Sequence, residues 1–403
     1  MRSLTLIATL ALASSSALAA PFLPSLERRN TNETADELIT IDMTYKNGLY
    51  AISLNVGTPP QTDFKVLFDT GSEVSWVPSS QCNTENCIQS SALYNPADSS
   101  TAFCDTTKEE KVEYEDGRGV SVQMYKDTVA FGNVDTSTPI NFQNFPIGAA
   151  TEVEGFDASD YLGFLGYGNQ DALHSIISAL EGVDGRLSKR SLGESSQTSG
   201  SFGGGTKRWD TKQAVFTFGI DPSRYVGEIA YFALPASEKE CENHSIYWRT
   251  ALKGVGLEGK YDCDLPHKSY AKFATGTRSI KAPPVHADIL HLKFGAFYNI
   301  FKHRYEFKCS KLDSIPNLNF KFENYQISVP ASLWTDRIDE NDESEDAKCY
   351  THIRRGSDRF KEWTLGTIVL DEFYQIWDHH MLRMGLAETV DGSDAKLTPL
   401  CDC

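Results

Sequence analysis

The chain has 403 residues, of which 40% are hydrophobic, and a formal net charge of −17. So large an acidic excess argues against nucleic acid and membrane surfaces as partners. The length predicts two domains rather than one. No apolar run beyond the N-terminus reaches the ~18 residues of a membrane-spanning helix.

The N-terminal stretch MRSLTLIATLALASSSALAA has a basic residue, a short apolar run and a small-residue ending. This pattern predicts a cleavable secretory signal over residues 1–19, followed by a short prosegment over residues 20–29. Arg28-Arg29 ends that prosegment as a dibasic processing site, or else is an exposed pair that is never cut. We therefore expect a secreted, extracellular protein. Two glycosylation sequons, which fit secretion, begin at Asn32 and Asn243.

The first predicted strands lead to a carboxylate. Tyr45–Val56 alternates apolar and polar residues as a half-buried strand does, and a Gly-Thr-Pro-Pro turn follows it. The next strand runs through KVLFDTGSEVSWVP, residues 65–78, into Asp69. Gly71 permits backbone conformations closed to other residues, and the hydroxyls of Thr70 and Ser72 can hydrogen-bond nearby groups. The stretch therefore predicts a rigidly held carboxylate.

Residues 272–283, KFATGTRSIKAP, repeat this design without the carboxylate. Each copy contains Thr-Gly followed by serine or threonine. In each copy, one residue stands directly before this Thr-Gly pair, and a proline lies nine positions after that residue. That residue is Asp69 in the first copy and Ala274 in the second. A Leu-Gly strand follows each copy at a similar distance, at Leu165 and at Leu365. Two halves with the same order of parts predict a duplicated fold with a pseudo-twofold axis.

These motifs together resemble the pepsin family of aspartic proteases, in which two such loops place two aspartates face to face. The resemblance covers Tyr45 to about Ala387. It implies a mainly β, bilobal pepsin-like acid protease fold, with two β-barrel lobes and a cleft between them. The lobes would span residues 30–220 and 221–403. The family's second Leu-Gly strand usually continues with aspartate, and Thr367 takes that place here.

Val112–Gly132 predicts a hairpin that turns at Glu115-Asp116-Gly117. By resemblance it is the flap that closes over substrate, with Tyr114 as the flap tyrosine and Trp76 as its hydrogen-bond partner. The alternative is that both are ordinary packed aromatics. Arg118 and Glu115 are bulkier than the family's usual residues and would either narrow the cleft or change its specificity. The resemblance implies binding positions at Gly71, Ser72, Trp76, Tyr114, Gly276 and Thr277.

The remaining chain predicts further elements. Gln170–Glu181 has the apolar spacing of a short amphipathic helix. Gly185–Lys212 is rich in glycine, serine and basic residues, which predicts a long exposed loop with a possible clip site at Lys189-Arg190. Ile315–Val329 predicts paired strands around a turn. Trp363–Gly385 predicts a strand, a short helix and a final strand.

Nine cysteines in a secreted chain predict disulfide bonds. Cys82 and Cys87 can close a tight loop, and the resemblance implies a bond between Cys309 and Cys349. Neither a metal site nor a cofactor is predicted. Sequence alone does not pair Cys104, Cys241, Cys263, Cys401 and Cys403.

Peptide hydrolysis in this family needs two carboxylates that share one proton, since one takes a proton from water while the other donates. With Ala274 at the second position we expect catalytic inactivity, and an Asp69 pKa near that of an ordinary carboxyl group. The expected role is then the binding of a peptide or secreted protein by a monomer. The alternative is a weak or conditional aspartic endopeptidase that acts at acidic pH.

Two compensating arrangements are conceivable. A replacement carboxylate would have to come from Asp262, Asp264 or Asp288, each of which must leave its own element to reach the axis. We also hypothesise that Glu73 and Arg278, which follow the two motifs at equivalent positions, form an ion pair across the axis.

Overall fold

Strands dominate the part of the chain that the computed structural model describes, namely residues 39–88, 90–114, 117–131, 141–156, 163–168, 172, 175–176, 199–202, 213–235, 248–342, 344, 346–356, 361–379 and 381–400. The predicted signal, prosegment, sequons and Lys189-Arg190 lie outside these residues. The α-helices with both ends among the described residues are α1 (Glu85–Ile88), α2 (Pro284–Phe294), α3 (Ala331–Trp334) and α4 (Thr367–Leu370), and 3-10 helices cover Pro96–Asp98 and Cys309–Ser314. No helix within the described residues is long and apolar enough to cross a membrane.

The largest sheet has thirteen strands and takes strands from both halves of the chain. Its strands are β1 (Ile39–Lys46), β2 (Leu49–Val56), β3 (Gln61–Asp69), β4 (Trp76–Pro78), β5 (Phe103–Glu113), β6 (Gly119–Phe131), β7 (Asn141–Glu154), β8 (Phe164–Gly166), β9 (Ser199–Phe202), β10 (Gln213–Phe218), β11 (Tyr225–Ala233), β25 (Phe373–Asp378) and β26 (Arg383–Thr389). They lie in the order β11-β26-β25-β9-β10-β1-β2-β3-β8-β4-β7-β6-β5.

Three smaller sheets belong to the C-terminal half. The first, in the order β12-β15-β24-β16-β23, contains β12 (Arg249–Ala251), β15 (Tyr270–Phe273), β16 (Ile280–Ala282), β23 (Ile353–Arg355) and β24 (Glu362–Leu365). The second is β13 (Gly254–Leu257), β14 (Tyr261–Asp264), β19 (Leu318–Lys321), β20 (Tyr325–Val329) and β27 (Lys396–Pro399). The third is β17 (Phe297–Asn299), β18 (Arg304–Lys308), β21 (Thr335–Arg337) and β22 (Lys348–Thr351).

The two halves repeat one arrangement of four strands. In the N-terminal half β8 pairs parallel with β3 and antiparallel with β4, and β4 pairs parallel with β7. In the C-terminal half β24 pairs parallel with β15 and antiparallel with β16, and β16 pairs parallel with β23. The repeated pairing is the arrangement that the duplicated motifs predict. The boundary between lobes at residue 220 falls in the connection from β10 to β11 and stays a prediction.

Glycines let the two Leu-Gly strands pass beneath the motif loops. A β-carbon at Gly166 would lie 2.7 Å from the carbonyl oxygen of Ser72. One at Gly366 would collide with the carbonyl oxygens of Thr277 and Ser279. The amide of Gly168 donates to Ser72, and the amide of Thr367 donates to Thr277. Each Leu-Gly strand thus supports its loop by backbone contact.

Buried aromatic residues join the halves below the loops. The Trp248 indole donates a hydrogen bond to the carbonyl oxygen of Tyr167 at 3.1 Å and stacks on that ring. Trp248 also packs edge-on against Trp377, with ring centroids 5.2 Å apart. All three side chains are almost fully buried, so each removes a large apolar area from water.

Several predicted elements differ from those observed. The strand predicted over Tyr45–Val56 is instead a hairpin, because Asn47 and Gly48 take positive φ values of 55° and 81° and form a two-residue turn between β1 and β2. The loop predicted over Gly185–Lys212 contains strand β9. The helix predicted over Gln170–Glu181 is helical at residues 172, 175 and 176, where it is described.

Both predicted disulfide bonds are confirmed. Cys82–Cys87 closes the loop at α1, and Cys309–Cys349 joins the end of β18 to β22. Cys104 is exposed on β5, and Cys263 is a half-buried free thiol on β14. Cys241, Cys401 and Cys403 lie outside the described residues.

We predict that Gly366→Ala lowers the free energy of unfolding by about 1–3 kcal/mol, because the new methyl group must displace backbone rather than a flexible side chain. Chemical denaturation measures the loss. Gly119→Ala is the matched control, since the nearest atom to a β-carbon there is 3.7 Å away. Equal stabilities of the two variants would contradict the packing argument.

Candidate functional site

The two motif loops pack against each other. Strand β3 ends at Asp69, which pairs in register with Gly166 of β8. Strand β15 ends one residue before Ala274, whose amide donates to the carbonyl oxygen of Leu365 at 3.1 Å. The Leu-Gly strands therefore present Asp69 and Ala274 at equivalent positions on the two sides of the pseudo-twofold axis.

Reciprocal hydrogen bonds tie the loops together. The amide of Thr70 donates to the hydroxyl oxygen of Thr275, and the amide of Thr275 donates to that of Thr70, both at 3.1 Å. The Thr70 hydroxyl donates to the carbonyl oxygen of Phe273 at 3.2 Å, and the Thr275 hydroxyl donates to that of Phe68 at 2.8 Å. Both threonines are almost fully buried, so this network fixes the loops against each other.

The Asp69 carboxyl group crosses the axis to the second loop. Its Oδ1 accepts hydrogen bonds from the amides of Gly71 at 2.7 Å and Gly276 at 3.1 Å. A β-carbon at Gly276 would collide with this carboxyl group, so only glycine leaves room for it. On the other side, a β-carbon at Gly71 would lie 3.1 Å from the methyl group of Ala274. The backbone frame is symmetric, but it holds one carboxylate.

Burial raises the pKa of Asp69 above that of an ordinary carboxyl group. The positive charge of Lys272, the amides of Gly71 and Gly276 and the charge of Lys281 oppose this rise without cancelling it. The expectation of an ordinary pKa was therefore wrong. It considered the loss of the second carboxylate and left out the cost of removing the first from water.

The hairpin of β5 and β6 places Tyr114 over the N-terminal loop. The Trp76 indole donates to the Tyr114 hydroxyl at 2.8 Å, as the resemblance implies, and the Tyr114 ring stacks on Phe164 with centroids 4.9 Å apart. The Arg118 guanidinium lies 4.6 Å from the centre of the Phe156 ring. Glu115 and Asp116 lie outside the described residues. The role of the hairpin as a flap stays a prediction.

A cavity of about 480 Å³ opens between the two loops and the hairpin. Its volume is in the range of small-ligand and peptide-side-chain pockets. Asp69, Ala274 and five of the six predicted binding positions line it, whereas Trp76 is fully buried and does not. The lining residues are Asp69, Gly71, Ser72, Glu73, Val74, Glu110, Lys111, Val112, Glu113, Tyr114, Arg118, Phe164, Lys272, Ala274, Gly276, Thr277, Lys281 and Thr364.

Sequence reasoning missed Lys272 and Lys281. Lys272 is two residues before Ala274 on a strand, and the period of two puts both on one face. Lys281 follows Ala274 at the distance at which Trp76 follows Asp69. A position-by-position comparison of the two copies would have found them.

The hypothesised ion pair between Glu73 and Arg278 is wrong. The Arg278 side chain lies along Gly48, and its Nη2 is 3.6 Å from the Asp336 carboxylate. Glu73 lines the cavity, which Arg278 does not. Equivalent positions in a duplicated backbone do not fix the directions of two long side chains. The arginine follows a nearby carboxylate in its own half.

The replacement carboxylates considered from sequence do not line the cavity. Asp288 pairs with Arg355 at 2.6 Å, and Asp262 pairs with Lys321. Asp264 is exposed on β14. Thr367, in the place of the family's usual aspartate, is buried and donates its hydroxyl to the carbonyl oxygen of Gly48. Among the described residues, no three His, Cys, Asp or Glu side chains cluster as a metal site would require.

The fold and the paired loops are those of the aspartic proteases. The model of the family described as eukaryotic aspartyl protease matches residues 49–389, and the chain belongs to this family. The predicted bilobal, pepsin-like fold is thereby confirmed. The chain is 27% identical to chymosin of Callithrix jacchus over 375 residues, covering 91% of this chain and 87% of that protein. It is 27% identical to renin of Echis ocellatus over 386 residues, covering 91% and 88%. It is 29% identical to vacuolar aspartic protease of Candida albicans over 291 residues, covering 71% and 63%.

The raised pKa of Asp69 predicts a specific dependence of stability on pH. The native protein holds the Asp69 proton more tightly than the unfolded chain, so the stability this contributes is present below about pH 4 and lost as pH rises through the native pKa. Asparagine cannot ionise and still accepts both amide hydrogen bonds. We therefore compare the melting temperature of Asp69→Asn with that of the natural protein. As pH rises from about 3 to about 7, we expect the difference to shift in favour of the variant.

Thermal denaturation at a series of pH values measures this difference. Asp391→Asn changes an exposed carboxylate and serves as the control, for which we expect a much smaller change. If the melting-temperature advantage of Asp69→Asn stays constant or shrinks as pH rises, burial does not raise the pKa of Asp69.

Proposed function

We propose that this chain is a pepsin-like aspartic peptidase homologue that binds a peptide or protein segment in its cleft without hydrolysing it. The observation that carries the proposal is the presence of Ala274 in a loop whose frame is otherwise complete. The threonine network, Gly276 and the Leu-Gly strand all hold this loop as they hold the Asp69 loop. The cleft is therefore retained while its acid–base pair is not.

The chemistry supports a loss of hydrolysis. One carboxyl group must take a proton from water while another donates one to the peptide carbonyl, and removal of either costs about 10²–10⁴ in rate. In a dyad the strongest charge near each aspartate is another carboxylate. Here the strongest charge on Asp69 is the ammonium of Lys272, which has the opposite sign. Asp69 therefore lacks a second carboxyl group with which it could share a proton.

We also propose that the protein acts outside the cytosol. Two disulfide bonds support this, because such bonds persist in oxidising compartments. The signal predicted over residues 1–19 agrees with export.

Binding without cleavage is the first prediction of this proposal. The purified protein is incubated with a degenerate peptide library between about pH 3 and pH 6, where a carboxylate dyad works. We expect mass spectrometry to find no new peptide termini, and affinity selection to retain a subset of peptides. Thr277→Trp fills the cavity and should lower retention at least about tenfold. Thr62→Trp, on an exposed part of β3, is the matched control.

Two results would contradict the proposal in different ways. Cleavage by the natural protein that Asp69→Asn abolishes would establish the weak acid endopeptidase instead. Retention that Thr277→Trp leaves unchanged would place the binding site outside the cleft.

Restoring the second carboxylate gives the next prediction. Ala274→Asp should create some hydrolysis at acidic pH, and Lys272→Leu combined with Ala274→Asp should create more, by about 10² or better over Ala274→Asn. The reason is that an ammonium beside the pair favours two ionised carboxylates, whereas the reaction needs one shared proton. Activity of the single variant equal to or above that of the double variant would show that Lys272 does not act on the pair.

A further inference from the structure

The cleft face of the C-terminal sheet is cationic. Thr364 of β24 stands in register with Lys272 of β15 on one side and with Lys281 of β16 on the other. Residues in register on neighbouring strands point to the same face of a sheet, and all three line the cavity. The two lysines are therefore neighbours across one strand at the cleft.

The equivalent face of the N-terminal half is apolar. There, Phe164 of β8 stands in register with Leu67 and with Trp76, and all three are almost fully buried. The same three strand positions thus hold leucine, tryptophan and phenylalanine in the N-terminal half, but lysine, lysine and threonine in the C-terminal half. The strand pairing does not require the polar residues, because apolar residues form the same pairing in the N-terminal half.

Lys272 reaches the position where the second aspartate is missing. The point where a β-carbon on Gly71 would stand is 3.0 Å from Asp69 Oδ1, 3.1 Å from Ala274 Cβ and 3.3 Å from Lys272 Cε. The lysine, the alanine and the remaining carboxylate therefore converge on one place. Within the described part of the chain, no salt bridge engages the Lys272 ammonium. It acts on Asp69 through space, as the strongest nearby charge.

Charge favours a carboxylate in the part of the cavity beside Ala274. Alanine is smaller than aspartate by one carboxyl group, both Ala274 and Lys272 line the cavity, and the ammonium makes an anion the favoured occupant. The other carboxylates of the lining, at Glu73, Glu110 and Glu113, belong to the N-terminal half. An acidic group would thus be drawn to the lysine side of the cleft and repelled from the hairpin side. A peptide bearing one carboxylate would acquire a defined position.

We propose that Lys272, with Lys281 beside it, holds a carboxylate of the bound peptide in the space next to Ala274, so that the ligand supplies the second acidic group of the site. The inference rests on the proposed function and adds the chemical class of its ligand. The carboxylate belongs either to an Asp or Glu side chain or to a free peptide C-terminus, and the test separates these sources.

The experiment uses the full-length mature protein and three degenerate heptapeptide pools, all blocked at the N-terminus. One pool has central Glu and an amidated C-terminus, one has central Gln and an amidated C-terminus, and one has central Gln and a free C-terminus. Competition in fluorescence anisotropy ranks their affinities. We expect the Glu pool or the free-acid pool to bind at least about tenfold more tightly than the pool without a carboxylate.

Two variants test whether the ligand carboxylate binds beside Lys272 and Ala274. Lys272→Leu introduces the residue found at the equivalent position 67 and should remove the preference. Ala274→Asp fills the same space with a carboxylate of the protein and should also remove it. Lys302→Leu, in the exposed turn between β17 and β18, changes the net charge equally and should keep the preference. Should Lys272→Leu fail to fold, Lys272→Gln and Ala274→Asp still decide the matter.

The outcomes separate this inference from the proposed function. Equal binding of all three pools would overturn the carboxylate inference and leave peptide binding in place. A preference that survives both Lys272→Leu and Ala274→Asp would also overturn it. If no pool binds, peptide binding itself fails, and the inference fails with it.

Discussion

The reciprocal hydrogen bonds between Thr70 and Thr275 are the constraint on which the site depends. They use two backbone amides, two hydroxyls and two carbonyl oxygens, and every one of these groups finds its partner inside the network. None of the bonds uses the side chain that precedes either threonine. Replacement of an aspartate by Ala274 therefore removes a chemical group and leaves the frame intact, which separates the folding of this site from its chemistry.

That separation leaves Asp69 in an unequal environment. Two amides and the charges of Lys272 and Lys281 favour its ionised form, yet burial has the larger effect and favours the neutral form. A symmetric dyad resolves this conflict by sharing a proton between two carboxylates. With one carboxylate, the balance depends on what else enters the cleft. A ligand that excludes water strengthens every electrostatic interaction there.

The sequence predicted the features that backbone repetition controls. Motif spacing predicted the duplicated strand arrangement of the two halves, and the family resemblance implied the hydrogen bond between Trp76 and Tyr114. The predictions failed for features that depend on the direction of a side chain or on its removal from water. Arg278 turns to Asp336 rather than across the axis, and the pKa of Asp69 follows its burial. The Asn47-Gly48 turn was a missed local signal, since that pair favours hairpins.

Lys272 shows why a missing catalytic residue is an incomplete description of this cleft. With leucine at position 272, as at the equivalent position 67, this wall of the cavity would lack the charge of the lysine. The lysine instead brings a positive charge beside the space that an aspartate at position 274 would fill. An ammonium in the wall of a cavity pairs well with a ligand that brings its own carboxylate, because charge-assisted hydrogen bonds are stronger than neutral ones. The alanine at 274 and the lysine at 272 thus act on the same site, which presents a cation beside a single acid.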